Sequence, residues 1–181
     1  MMDKVMDFLE GVEQQLSSRQ LKVGFLRGAT YNDADKTSIP MVAASNEFGN
    51  PKSGSPPRPF FRNAIAEKSG EWAQRGEALM KAHGGDVDAV LDLLGSIIRD
   101  DIQSSIRTLD SPPLSPVTLL LRDRFPMREN MTFADVLKAR EDVKNGVTAS
   151  GKHSNPLVWT GNMMNSVDYE VSDIEYSADS E

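Results

Sequence analysis

Few residues in this 181-residue chain have the type and spacing to do chemistry. Gly146-Val147-Thr148-Ala149-Ser150-Gly151-Lys152 has the glycine and lysine spacing of a phosphate-binding loop, whose backbone N–H groups would cradle phosphate oxygens. His153 stands where a Ser or Thr would hold magnesium, and no buried strand is expected to feed the first glycine, so the stretch reads as an ordinary loop. His83 and His153 are the two histidines and lack the paired spacing of a zinc helix. The absence of cysteine excludes disulfides, thiolate metal sites and cysteine nucleophiles. No nucleophile-elbow sequence places a serine on a strained turn. Asp100 and Asp101 are adjacent, but neighbours on a helix point in different directions, which makes them a solvated face rather than a shared proton site. Arg122, Arg124 and Arg128, with Phe125 beside them, form a small basic cluster that could touch phosphate and is the DNA-contact candidate. Neither metal nor cofactor is expected, and nothing here reads as an enzyme.

The composition agrees. Twenty Lys and Arg against twenty-seven Asp and Glu leave a net charge of -7, which argues against a nucleic-acid or anionic-membrane binder driven by bulk charge. The N-terminal stretch is acidic and amphipathic, without the basic start and apolar block of a signal peptide, and the apolar runs are too short and too interrupted for a membrane span. A soluble protein made in a reducing cytoplasm fits these features.

The elements that would position these residues follow from periodicity. Val5, Phe8, Leu9, Val12 and Leu16 predict an amphipathic helix starting near Asp3, whose apolar face needs a sheet or helix to cover it. Leu21, Val23 and Phe25 alternate as in a half-buried strand, and residues 28–35 read as a strand end or turn. A short helix is expected over 38–48, capped at Ser38-Ile39-Pro40 and ended by Gly49. A second helical stretch runs from Phe60 to Gly84-Gly85, and a long one from about Asp86 to about Leu109, where Val87, Val90, Leu91, Leu94, Ile97, Ile98, Ile102, Ile106 and Leu109 form an apolar stripe, most simply core. Residues 117–121 suit either a strand or a helix start. Thr132 caps a modest helix to Lys144 with Phe133, Val136, Leu137 and Val143 on a stripe that Arg140 interrupts. Val167, Tyr169 and Val171 predict a closing strand, followed by a fraying acidic tail.

One connection stands apart. In residues 46–65, Gly49 and Gly54 bound an exposed turn, and Pro56, Pro57 and Pro59 stiffen the approach to Phe60 and Phe61. Such an arm gives up little entropy on docking, so Arg58, Phe60, Phe61 and Arg62, together with Trp159 further on, suit contact with a neighbouring subunit. The same aromatics equally suit packing inside their own subunit.

Four segments in register carry a resemblance. Met41-Val42-Ala43-Ala44-Ser45-Asn46-Glu47-Phe48-Gly49, Pro56-Pro57-Arg58-Pro59-Phe60-Phe61-Arg62, Pro112-Pro113-Leu114-Ser115-Pro116-Val117-Thr118 and Pro156-Leu157-Val158-Trp159-Thr160-Gly161 with Asn165-Ser166-Val167 resemble the virion morphogenesis or tail-completion (neck) proteins of long-tailed bacteriophages. The likeness spans roughly residues 20–171 and departs at Trp159, where the family carries an acid. It implies an α+β fold with a small, mainly antiparallel sheet packed against several helices. The main domain would comprise residues 1–124 and 155–176, with a polar, mobile helical excursion at 125–154 and a frayed tail at 177–181. It also implies a non-enzymatic ring, hexameric or alternatively dodecameric, at the head-tail junction of the virion. Its partners would be a tail tube or tail terminator and a head connector. A DNA-contacting connector using Arg122, Arg124 and Arg128 on the passing genome is the alternative, and an uncharacterised hydrolase has least support.

Overall fold

The computed structural model describes residues 2–26, 28–31, 36–127, 130–152 and 154–174. In chain order these form α1 (Met2–Ser18), β1 (Arg19–Phe25), α2 (Ile39–Phe48), α3 (Phe60–Ala82), α4 (Val87–Thr108), α5 (Pro116–Arg124), α6 (Phe133–Lys144), α7 (Asn162–Asn165) and β2 (Val167–Asp173). The fold is α+β, as expected. β1 and β2 pair antiparallel, from Arg19 opposite Asp173 to Phe25 opposite Val167, so the chain's two ends close one small sheet.

Helix α4 is the organising element. Its stripe buries Val87, Val90, Ile102 and Ile106, and it lies against the sheet on one side and α3 on another. At Gly95 the helix comes close to the sheet, and a Cβ there would come within 2.8 Å of Leu21 Cδ1 and of Tyr169 Cγ. Only glycine leaves that space. Ile102 and Ile106 then meet Ile39, Ala43, Phe60, Leu157, Met163 and Val167 in the main core.

The helix starts obey local chemistry. Ser38 accepts from Met41 N at 3.5 Å with Pro40 in the first turn, and Asp86 accepts from Ala89 N at 3.1 Å. The open choice at 117–121 falls to helix, because Ser115 accepts from Thr118 N at 3.2 Å and Pro116 is pre-set for a first turn. Thr132 and Asp135 form a reciprocal capping box at the head of α6. Of the strand end or turn expected over 28–35, residues 32–35 lie outside the described residues; on either side of them Tyr31 N donates to Thr37 O at 2.9 Å and Ile39 N to Ala29 O at 3.0 Å. The acidic tail from 175 also lies outside them.

Three expectations change. Helix α6 turns Val136, Ala139 and Val143 inward, whereas Phe133 and Leu137 are exposed, so its apolar residues form two lines rather than one stripe. The inward line packs on Leu120 and Leu121 of α5 in a second, smaller core, and the boundary drawn at 124 therefore falls between two packed helices. Helix α1, expected to be covered, leaves Met6, Leu9 and Leu16 exposed and Val12 half-buried, while the side chains of Val5 and Phe8 lie outside the described residues. No helix of the described residues is long and apolar enough to cross a membrane.

Candidate interaction site

The residues considered for chemistry disperse. The glycine-rich loop at 146–152 leaves the end of α6, with Gly146 N on Val143 O and Val147 N on Asp142 O. Its Ser150 N–H donates to the Asp123 carboxylate, so an acid occupies the place where a phosphate would have to sit. His83 closes α3, and His153 lies outside the described residues. Asp100 pairs with Arg99 at 2.8 Å while Asp101 accepts from Trp72 Nε1 at 2.8 Å, a contact that fastens α3 to α4. The two carboxylates diverge.

The basic cluster is not a free surface. Arg122 is buried, donating through Nη1 to Asn155 O and, at 3.0 Å, to Val158 O, and through Nη2 to Pro156 O at 3.0 Å. Burial, with the nearby Arg58 charge second, pushes its pKa down to about 10. Arg124 pairs with Asp142 at 2.6 Å, and Arg128 lies outside the described residues. The DNA-contact assignment is thus corrected for Arg122, which is buried with its guanidinium on loop carbonyls, while Arg124, two residues on along α5 and facing the opposite side, stays exposed in its pair with Asp142.

The proline-stiffened arm is built from the inside. Gly49 has φ of +78°, and a Cβ there would lie 2.9 Å from Pro57 N, so the turn requires glycine. Asn50 and Ser55 exchange backbone bonds of 2.9 and 3.1 Å across it. Arg58 is 6% exposed and donates from Nε to Pro112 O at 3.0 Å and from Nη2 to Pro113 O at 3.2 Å, clasping the second proline loop. Burial lowers its pKa. Phe60, at 1% exposure, stands edge-on to Phe25 and Phe61, and its carbonyl accepts from Ser105 Oγ at 2.7 Å. Phe61 is half-buried over Gly24. Trp159 donates from Nε1 to Phe125 O at 3.0 Å under the Arg122 guanidinium.

The neighbour-contact assignment is therefore corrected for Arg58 and Phe60, which are consumed within the subunit, and Phe61 and Trp159 also pack largely inside it. Arg62 alone of the five keeps a mostly exposed side chain. It lies 5.2 Å from the ring centre of Phe48, which is 67% exposed; Met41 on the same helix and Ile65 on α3 are exposed too.

Glu47 is the residue that sequence reasoning missed. Its buried carboxylate accepts from Phe61 N at 2.9 Å, Arg62 N at 3.2 Å and Arg62 Nε at 2.8 Å. Those amides open α3, whose N-cap is Pro59 and provides no side-chain acceptor. A proline at that position leaves the first-turn N–H groups in need of an outside acid, and this was the available signal.

Both arginine clasps and the Trp159 loop line one cleft of about 1470 Å³, together with parts of α2 and of the 53–56 turn. Among the described residues no Asp or Glu lines it. All four segments singled out in the sequence contribute residues to it. Compared with protein-family models, curated proteins and solved structures, the chain gives no significant match.

Proposed function

We propose that the chain is a structural, non-enzymatic component of a bacteriophage virion, forming a ring at the neck or tail end and offering a joining surface to the tail tube or terminator and to the head connector. The observation that carries this reading is the apolar surface that the chain leaves open. Met41, Phe48 and Ile65 lie exposed beside the arm, and Met6, Leu9 and Leu16 lie exposed on α1. Exposed apolar faces of this kind suit burial by a neighbouring subunit. The convergence of four motif segments on one cleft that no described acid lines adds support, since a shaped recess beside apolar ground suits a docking surface better than a surface built for turnover.

The genome-contacting alternative loses ground because Arg122 and Arg124 are engaged internally. The net charge of -7 would instead help DNA to slide past without sticking.

Light-scattering mass and negative-stain images of the purified protein, alone and mixed with phage tails, test the proposal. A closed ring of six or twelve copies on tail ends is the expected outcome. A strict monomer at every concentration that ignores tail ends would sink it.

A further inference from the structure

The small sheet has two outer edges, and they are not alike. Ile174 N donates to Ser18 O at 2.8 Å, one step beyond the pair of Arg19 and Asp173. In an antiparallel ladder bonded and open pairs alternate, so Gln20, Lys22 and Gly24 exchange bonds with Ser172, Glu170 and Asp168. The N–H and C=O groups of Leu21, Val23 and Phe25 therefore point away from β2, as those of Val167, Tyr169, Val171 and Asp173 point away from β1. Side chains interrupt the β2 row. Asp168 Oδ1 accepts from Tyr169 N at 2.9 Å, Gln103 Nε2 donates to Val167 O at 3.5 Å, and Gln20 Nε2 donates to Asp173 O at 2.7 Å. The β1 row is unbroken: the outward groups of Leu21, Val23 and Phe25 have no hydrogen-bond partner among the described residues, and all three residues are half-buried rather than buried. Backbone groups shut away from water are nearly always paired, so this row belongs either in water or against another strand.

We infer that β1 is an association edge and that its occupant is β1 of a second copy of this chain, antiparallel across a two-fold axis, giving one four-stranded sheet with β1 beside β1 and β2 on both outsides. A strand that adds to an edge must bring an open row of its own, and among the described strands β1 has the unbroken one. Charge and count then fix the register. Arg19 is held by Asp88 at 2.6 Å and by Asp173 at 2.8 Å, and Lys22 lies opposite Glu170 within its own sheet, so neither cation is uncompensated. Centring the contact on Val23 sets Leu21 opposite Phe25, engages every open group of the row in both copies, and places Lys22 opposite Gly24. Centring it on Lys22 would set lysine against lysine, and centring it on Leu21 would leave Phe25 without a partner strand. Helices α1, α2 and α6 also leave apolar side chains exposed, but their backbone groups are spent inside the helix and select no register. The contact needs only that two copies meet, so it does not rest on the ring reading.

Amide exchange resolved by residue, followed by NMR over a dilution series, tests the pairing. In the associated protein the N–H groups of Leu21, Val23 and Phe25 should exchange at least about tenfold more slowly than in the dilute protein, with Val171 N–H unchanged. Free exchange at those three positions in associated protein overturns the pairing and leaves the ring reading standing. Slow exchange that persists in the monomer shows that the chain covers its own edge and overturns it too, as does slowing at Val171, which would bring β2 into the contact. Val23→Pro removes an outward N–H that no bond within the sheet uses, whereas Val23→Ala gives up the same packing and keeps the N–H. Association through this edge should weaken at least about a hundredfold in the proline variant and less than about threefold in the alanine variant, and equal weakening overturns the assignment. Should the proline variant fail to fold, the exchange series on the unaltered protein still decides. A monomer at every concentration overturns both this contact and the ring.

Discussion

Replacing Glu47 with Gln is the most informative single test of how the arm is built. The carboxylate accepts from two first-turn amides of α3 and from the Arg62 guanidinium, all within 3.2 Å. A glutamine keeps one oxygen for one amide but turns its NH2 toward the other, leaving a buried donor unsatisfied at a cost of about 1–3 kcal/mol. Loss of the negative charge at the helix N-terminus removes about 1 kcal/mol more. The Arg62 ion pair adds little, because more than half of that side chain is exposed. Relief of the carboxylate's desolvation offsets part of the loss, so about 2–3 kcal/mol remains. With a urea dependence of about 2–3 kcal/mol per molar, the unfolding midpoint should fall by about 1 M. Arg62→Leu should cost clearly less than Glu47→Gln. A midpoint shift below about 0.3 M, or equal costs for the two variants, would refute the assignment of Glu47 as the cap of α3.

Gly95→Ala should destabilise by about 1–2 kcal/mol, since the methyl overpacks Leu21 and a Tyr169 ring held by Asp92 at 3.0 Å, and this exceeds the helix-propensity gain; a stabilised variant would contradict that packing. Arg122→Met should lower stability by about 3 kcal/mol or more and red-shift Trp159 emission, with Arg122→Lys a poor rescue because an ammonium cannot reach three carbonyls as a fork does; full rescue by lysine would argue that only charge matters. The hydrogen bonds from Thr132 Oγ and then from its backbone N–H hold the Asp135 carboxyl below the usual carboxylate range. A depressed folded pKa means that its contribution is full above the unfolded value and is lost as pH falls through the folded one. Amide exchange at the start of α6 should therefore accelerate only on strong acidification, and Asp135→Asn should abolish that step.

How much of this could be read from the chain depended on whether a residue's role was local. Caps such as Ser38, Asp86 and Thr132 act within four residues of themselves, and the helices they start were legible. Roles that cross the chain were not. Glu47 sits near the end of an apolar helix and resembles a surface acid, although its partners lie fourteen and fifteen residues away. Gly95 interrupts a core stripe as any weak helix residue might, and only the approach of Tyr169 explains it. Arg122 and Arg124 read as one cluster because spacing alone does not show that one faces a loop of carbonyls and the other an aspartate. Phe60 and Phe61, adjacent on a helix, diverge by about a quarter turn, so one became core and the other half-buried.

The arginines give the arm a consequence for any experiment on assembly. Arg58 holds the loop at 112–113 and Arg122 holds the loop at 155–158, so the same two side chains shape the cleft and stabilise the subunit. A cleft variant that fails to assemble therefore says nothing about docking unless its folded state is shown intact, because removing either guanidinium strands buried carbonyls. Changes on α1 escape this coupling. Its Leu9, Glu10 and Glu13 are exposed, and replacing them leaves the two cores untouched. If assembly fails with α1 altered and the melting temperature unchanged, the defect lies in association. If it fails only when Arg58 or Arg122 is altered, the exposed Met41, Phe48 and Ile65 become the residues to probe next, with Phe48→Glu expected to block association without unfolding the subunit.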